Sequence, residues 1–245
     1  MTASEIDDLL APPASRSLAD DIAERLRAAI LAGHFAPGER LGEEKLAQKM
    51  NVSRGPIREA FARLEREGIV VTRRNRGAFV AQLTVEDLDE LYTLRRVLEP
   101  LALQRAVERA DGTDFQAMQQ LVDEIALHNQ LGISEQVAAD LDLRFHDLIY
   151  LAAKHRRLYD AWSTIRPQIH IVLLSRNVAH RDFRDMVVEG HQQLLDAMRD
   201  RDAVLAIAIL EDHLAGSYQR VARSYERRDR GDPATLDDAD QKEEA

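Results

Sequence analysis

Gly33-His34-Phe35-Ala36-Pro37-Gly38-Glu39-Arg40-Leu41, then Leu46-Ala47-Gln48-Lys49-Met50-Asn51-Val52-Ser53-Arg54-Gly55-Pro56-Ile57-Arg58-Glu59-Ala60-Phe61-Ala62-Arg63-Leu64, is the stretch that decides the N-terminal fold. Ile57, Ala60, Phe61 and Leu64 recur at helical spacing and predict one apolar stripe. Leu41, Leu46, Ala47 and Met50 predict a shorter helix before it, with Asn51-Val52 as the turn between the two. Ser53 stands where a hydroxyl can accept from a first-turn amide of the second helix. Ile69-Val70-Val71 reads as a strand, Arg73-Arg74-Asn75-Arg76-Gly77 as a turn with three further arginines, and Ala78-Phe79-Val80 as the returning strand. The whole is a helix-turn-helix with a wing.

The charges say what this unit holds. Arg54 and Arg58 share one face near a helix N-terminus, where basic side chains oppose the helix dipole. The fold gains little from that unless a polyanion supplies the counter-charge. A solvated surface with Arg–Glu pairs is the simpler reading, but the charge is not evenly spread. Residues 53–77 carry seven arginines and three glutamates, a net of +4, whereas the whole chain is −10 and residues 82–245 account for −11. Positive charge confined to one element points to DNA, with the second helix in the major groove and the arginine-bearing wing along a backbone or minor groove.

The 245 residues suit two domains of ordinary size. Apolar content of 45% supports a real core, and few aromatics, glycines and prolines fit a mainly helical chain. The absence of cysteine excludes disulfides, thiolate metal sites and a cysteine nucleophile, and fits a reducing compartment. No apolar run approaches the length of a membrane span and no signal pattern opens the chain, so the expectation is a cytoplasmic protein with no membrane partner.

Residues 1–16, with Ala11-Pro12-Pro13, read as a flexible arm. Ser17 to Asp20 reads as a capping box opening a helix whose inner face holds Ile22, Leu26 and Ile30. The winged unit is expected over 17–81. A second capping box, Thr84 to Asp87, makes the junction short enough for one domain to steer the other. Residues 82–226 read as an all-helical bundle of about six or seven helices, with a bend at Pro100, and 227–245 as a disordered acidic tail.

Within the bundle, Asp142 and His146 lie four apart on one predicted helix, His191 beside Leu194, Leu195 and Met198 on another, and His213 beside Ala206, Ile209 and Leu210 on the last. Each polar group sits on or beside a core-facing stripe, where an unpaired imidazole or carboxylate is costly. Two readings stand at this level: hydrogen-bonded core residues, or a site for a divalent transition metal such as zinc, nickel or manganese.

Residues 17–81 resemble the DNA-binding domain of the GntR family of bacterial transcription regulators. The resemblance rests on Pro37-Gly38-Glu39-Arg40-Leu41, Leu46-Ala47, Val52-Ser53-Arg54, Pro56, Arg58-Glu59-Ala60, Leu64, Gly68 and Gly77. It implies that Arg54 and Arg58 read bases or clamp phosphates and that Gly77 lets the wing approach the minor groove. Helix and wing together give Arg54, Gly55, Pro56, Arg58, Arg63, Arg73, Arg74, Arg76 and Gly77 as the candidate DNA-binding set. Glu44 departs from the pattern, since FadR-like members often carry a basic, DNA-contacting residue there.

Residues 84–225 resemble the helical effector domain of the FadR subfamily, the FCD domain. Asp142-Leu143-Arg144-Phe145-His146, Glu189-Gly190-His191 and Asp212-His213 match the motifs of its metal-binding members, and Arg95 matches an arginine that faces their ligand pocket. The resemblance implies a metal held by Asp142, His146, His191 and His213, a small carboxylate effector touching Arg95, and a homodimer on a two-fold operator. His155 is read either as lining the pocket or as capping its helix, the cap being the simpler expectation. The expected function is a DNA-binding transcription regulator, a repressor released by its effector. Two alternatives are a regulator with a purely structural metal and a metalloenzyme fused to a DNA-binding domain. The second lacks a His-Glu-x-x-His run and a base beside the ligands.

Overall fold

A computed structural model describes residues 17–132, 134–175 and 181–229. Ser17 opens α1 (Leu18–Leu31) with the capping box anticipated from sequence: its Oγ accepts from the Asp20 amide, and Asp20 accepts from the Ser17 amide. β1 (Arg40–Leu41) follows, then α2 (Glu43–Met50), α3 (Arg54–Arg66), β2 (Val70–Arg73) and β3 (Gly77–Val80). The strands form an antiparallel sheet in the order β1-β3-β2, with Leu41 opposite Ala78 and Thr72 opposite Ala78 on the other side. Leu41 therefore belongs to a strand rather than to the first helix of the pair. Gly42 takes the N-cap of α2, and the apolar spacing of Leu41 with Leu46 reflects a shared core across two elements.

Asn51 turns the chain between α2 and α3 in the left-handed conformation (φ 53°), which asparagine tolerates better than most residues. Ser53 occupies the N-cap of α3 in extended backbone but makes no side-chain cap bond, contrary to the expectation from its hydroxyl. Ile22, Leu26, Ile30, Leu41, Ile57, Phe61, Leu64, Ile69 and Val80 close the core of this winged unit.

Thr84 opens α4 (Val85–Arg109) with the second capping box, and Asp111 opens α5 (Gly112–Leu131) with a third. α6 (Glu135–Ala152), α7 (Arg156–Ser175), α8 (Arg181–Arg199) and α9 (Ala203–Asp229) complete the six helices of the bundle among the described residues. α4 runs unbroken through Pro100, and α7 through Pro167. α9 extends to Asp229, so residues 227–229, expected in a disordered tail, are helical. The arm at 1–16 and the remainder of the tail lie outside the described residues. A second core gathers Leu88, Leu103, Phe145, Trp162, Leu195 and Leu210 from α4 and α6–α9.

The two cores meet on α7. Ile171, 1% exposed, projects from α7 into the core of the winged unit, while Trp162 on the same helix is buried in the bundle. Gly68, at φ +72°, packs so closely on α7 that a Cβ there would lie 2.6 Å from the Gln168 side chain. One helix thus touches both halves, at Trp162 and Ile171, about 13.5 Å apart along its axis.

Candidate DNA-binding face and metal centre

The first turn of α3 presents Arg54, Gly55 and Arg58 to solvent, while Ile57, Ala60, Phe61 and Leu64 hold the opposite face in the core. Pro56 fits because the first turn of a helix needs no amide from it. Arg54 Nε donates to Glu43 Oε1 at 2.6 Å, and Arg58 Nε stands 2.9 Å from the same oxygen. The two arginines hold the Glu43 carboxyl below its usual range, Arg58 first and then Arg54.

A groove between α2, α3 and the wing brings Arg54 and Arg58 together with Gly77. Sequence reasoning missed Arg40, Lys45 and Gln48, which line the same groove. Arg40 lies under Gly77, its guanidinium 3.6 Å from the position of a Cβ there, and Gly77 itself sits at φ +93°. The signal for Arg40 was its place in the Pro-Gly-Glu-Arg-Leu run, a strand away from the wing in the pairing Arg40 to Phe79. Glu44, the residue that departs from the family pattern, also faces this groove.

At the wing, Arg73, Arg74 and Arg76 are exposed around Asn75 (φ 62°), and the Arg73 guanidinium packs 4.9 Å over the Phe79 ring. Glu65 of α3 accepts from the Thr72 amide at 2.8 Å and so fixes the wing against the helix. Arg63 is separated from this face. It pairs with Asp20 and Ser17 of α1 and lines a different cleft, with Arg27 and Arg166. The sequence grouped it with Arg54 and Arg58 because all three lie off the apolar stripe, but it lies on the stripe's other side.

In the bundle, Asp142, His146, His191 and His213 come from α6, α8 and α9 and offer one ligand atom each within 4.8 Å of one another. Asp142 Oδ1 is 3.5 Å from both His191 Nε2 and His213 Nε2, and Asp142 Oδ2 is 3.9 Å from His146 Nε2. Neighbouring ligands of one ion with bonds near 2.1 Å stand roughly 3–3.5 Å apart. The cluster is therefore close to the spacing of a single shared ion.

Its electrostatics fit the same role. Burial pushes the His191 imidazole down to about 3, with His213 adding to the effect, and burial likewise lowers His213. Neutral imidazoles offer the lone pairs that a metal needs. Burial alone would raise the Asp142 carboxyl, but His213, His146 and His191 together pull it well below its usual range. One carboxylate and three imidazoles, with His191 and His213 lowered by burial, make a donor set matched to a divalent cation.

Glu99 is the residue that sequence reasoning did not place in the site. Its Oε2 lies 2.6 Å from His146 Nδ1, and its Oε1 accepts from Arg95 Nε at 2.5 Å. Burial would raise this carboxyl, but Arg95 and then His146 outweigh it and hold it low. The contact on Nδ1 leaves His146 Nε2 toward the cluster, as a carboxylate behind a ligating histidine does. A signal existed: an Arg95/Glu99 pair, i to i+4, on the otherwise apolar inner face of α4.

Arg95 is fully buried, with Nη2 3.4 Å from His146 Nε2 and Nη1 without a hydrogen-bond partner among the described residues. Its guanidinium lies 5.1 Å over the Tyr92 ring and 6.0 Å over Trp162. Tyr150 stacks on Trp162, and its hydroxyl also lacks a partner among the described residues. Glu189, exposed and accepting from Gln193, stays out of the site. His155 lies outside it too: its Nδ1 accepts from the Leu158 amide and caps α7.

Comparison with known proteins agrees with both halves. The chain matches the family described as bacterial regulatory proteins, gntR family, over residues 18–80, and the FCD domain over residues 90–216. The nta operon transcriptional regulator of Aminobacter aminovorans is 30% identical over 74% of this chain and 85% of its own. The gluconate operon transcriptional repressor of Bacillus subtilis is 28% identical over 78% of this chain and 80% of its own. The crystal structure of a GntR transcriptional regulator from Rhodococcus sp. RHA1 superposes with a TM-score of 0.75, at 27% identity, over 84% of this chain and 98% of that one. These relatives are transcriptional regulators rather than enzymes. Winged helix, helical bundle and both family matches converge: the chain belongs to the GntR family of DNA-binding transcription regulators, in the FCD-bearing group that includes the FadR subfamily.

Proposed function

We propose that the chain is a cytoplasmic homodimeric repressor whose operator affinity is set by a small carboxylate bound at a divalent metal in the helical bundle. The observation that carries this reading is the buried Asp142, His146, His191, His213 cluster with Arg95 beside it. Arg54, Gly55, Pro56, Arg58 and the wing residues Arg73, Arg74, Arg76 and Gly77 contact the operator, joined by Arg40 from the groove. Arg63 serves the contact between α1 and α3.

A divalent ion held by Asp142, His146, His191 and His213 would supply positive charge to a carboxylate. The protein's own groups do the rest. Glu99 orients His146, and its hold on Arg95 Nε leaves Nη1 of the guanidinium for a second anionic group on the effector. Tyr150 offers its unpartnered hydroxyl to the same ligand. Trp162 lies against this site, and α7 carries any movement of it to Ile171 in the winged core. A small rotation there changes the spacing of two DNA-reading helices in a dimer, and half-site spacing is a geometric requirement. Support for repression comes from a relative named for repressing an operon whose name is that of a small carboxylate.

Purified full-length protein, its His191→Ala variant and metal-stripped protein are compared for metal content and for operator binding with a panel of small carboxylates. The expected result is metal in the wild type, little in His191→Ala, and release from DNA by one or more carboxylates only when metal is present. Full metal occupancy in His191→Ala removes that residue from the site. Metal that stabilises the fold, with no carboxylate altering DNA affinity, replaces this reading with the structural-metal alternative.

A further inference from the structure

Glu43 is an acid in a groove that receives a polyanion. A carboxylate there repels phosphate unless neutralised, and its pairs with exposed arginines add little to stability. Its geometry is specific nonetheless. The carboxylate sits in the first turn of α2, where the helix dipole favours it, and one oxygen, Oε1, meets the Nε of both Arg54 and Arg58 at 2.6 and 2.9 Å. Both contacts use the inner nitrogen of the guanidinium. The side chains of Arg54 and Arg58 remain 58% and 62% exposed, and Glu43 only 25%. An arginine reads guanine through a pair of nitrogens in a fixed fork, so a ligand on Nε holds the stem while leaving the terminal pair outward.

We infer that Glu43 is a positioning residue for sequence recognition: it orders Arg54 and Arg58 before DNA arrives, and so contributes to discrimination between base sequences rather than to general DNA affinity. The inference rests on the reading of Arg54 and Arg58 as the base-contacting pair. It separates two quantities that an ordinary surface charge moves together. Loss of the carboxylate removes a negative charge from the groove, which strengthens binding to any duplex. It also frees two long side chains, and each side chain that must then be immobilised on binding loses roughly two- to tenfold in specific affinity.

The test uses the full-length dimer, the operator duplex recovered by genomic capture and a scrambled duplex of equal length, at one fixed salt concentration. For Glu43→Gln, a near-isosteric change, the expected result is a specificity ratio lower by about tenfold, with scrambled-duplex affinity unchanged or higher. Retained scrambled-duplex binding also reports a folded winged domain. In an Arg54→Ala/Arg58→Ala background, Glu43→Gln is expected to leave the ratio unmoved, since its action passes through those arginines. An unchanged ratio in Glu43→Gln overturns the inference and makes Glu43 a bystander. A raised ratio overturns it too, because the arginines would then have to leave Glu43 to reach DNA. If Arg54→Ala/Arg58→Ala alone does not lower the ratio, the base-reading assignment itself fails, an outcome distinct from the other two.

Discussion

Glu99→Gln is the substitution that probes the bundle most deeply, because one carboxylate there neutralises a buried arginine and backs a candidate metal ligand. Glu99 is 1% exposed and Arg95 fully buried, with 2.5 Å between their bonded atoms. The amide keeps the shape of the side chain but removes the charge. Breaking a buried ion pair by removing one partner costs about 3–5 kcal/mol, since the other charge stays buried without its counter-ion. For a domain of this size each kcal/mol moves the melting temperature by about 2–4 °C, so metal-free protein is expected to melt about 6–20 °C lower. Loss of the carboxylate behind His146 is separately expected to weaken metal binding about 10–100-fold. Thermal unfolding by circular dichroism in chelator, followed by metal titration, measures both. An Arg95→Met/Glu99→Leu double variant replaces the pair with apolar groups of similar bulk and is expected to recover most of the stability but not the metal affinity. A metal-free melting temperature within about 2 °C of wild type, with undiminished metal affinity, would refute the argument that Glu99 serves both Arg95 and His146.

Three further outcomes are expected. Arg54→Ala and Arg58→Ala should each cost about 1–3 kcal/mol of operator binding where the contact is bidentate to guanine, read by fluorescence anisotropy; an unchanged affinity removes that arginine from the reading set. His170 on α7 is buried, and burial, reinforced by Arg166, lowers its imidazole to about 4. Folded protein keeps it neutral while the unfolded chain protonates below about pH 6.5, so its contribution is full above that pH and is lost as pH falls toward 4; about 2–3 kcal/mol of acid sensitivity should vanish in His170→Leu, by urea titration across that range in chelator. Ile171→Ala should cost about 2–5 kcal/mol as a buried large-to-small change, and should blunt the effector response while metal content stays at the wild-type level; an intact response would show that α7 does not couple the two halves.

Much of the fold was legible from local chemistry. The caps at Ser17 and Thr84 and the stripe Ile57, Ala60, Phe61, Leu64 are short-range signals, and each reappears in the structure. Leu41 was misplaced because an apolar residue near a helical run carries no mark of the strand partner, Ala78, that claims it. Ser53 stands at its cap position without its cap bond, since position follows from backbone and the bond from a side-chain rotamer. The candidate ligands were visible as polar residues on apolar faces. Glu99 was visible in the same way beside Arg95, but its role was not, because that depends on His146 of α6 meeting α4 across the bundle. Arg63 and Glu43 show the same limit: periodicity tells which residues avoid the core but not which neighbour each one meets outside it.

The account is tested most directly by capturing fragmented genomic DNA on the full-length protein, metal-loaded and metal-stripped, with and without a pool of small carboxylates, and sequencing what is retained. The expected result is a few sharp peaks sharing a short palindrome, abolished by the carboxylates when metal is present. Peaks that persist unchanged through metal removal and carboxylate addition would contradict it.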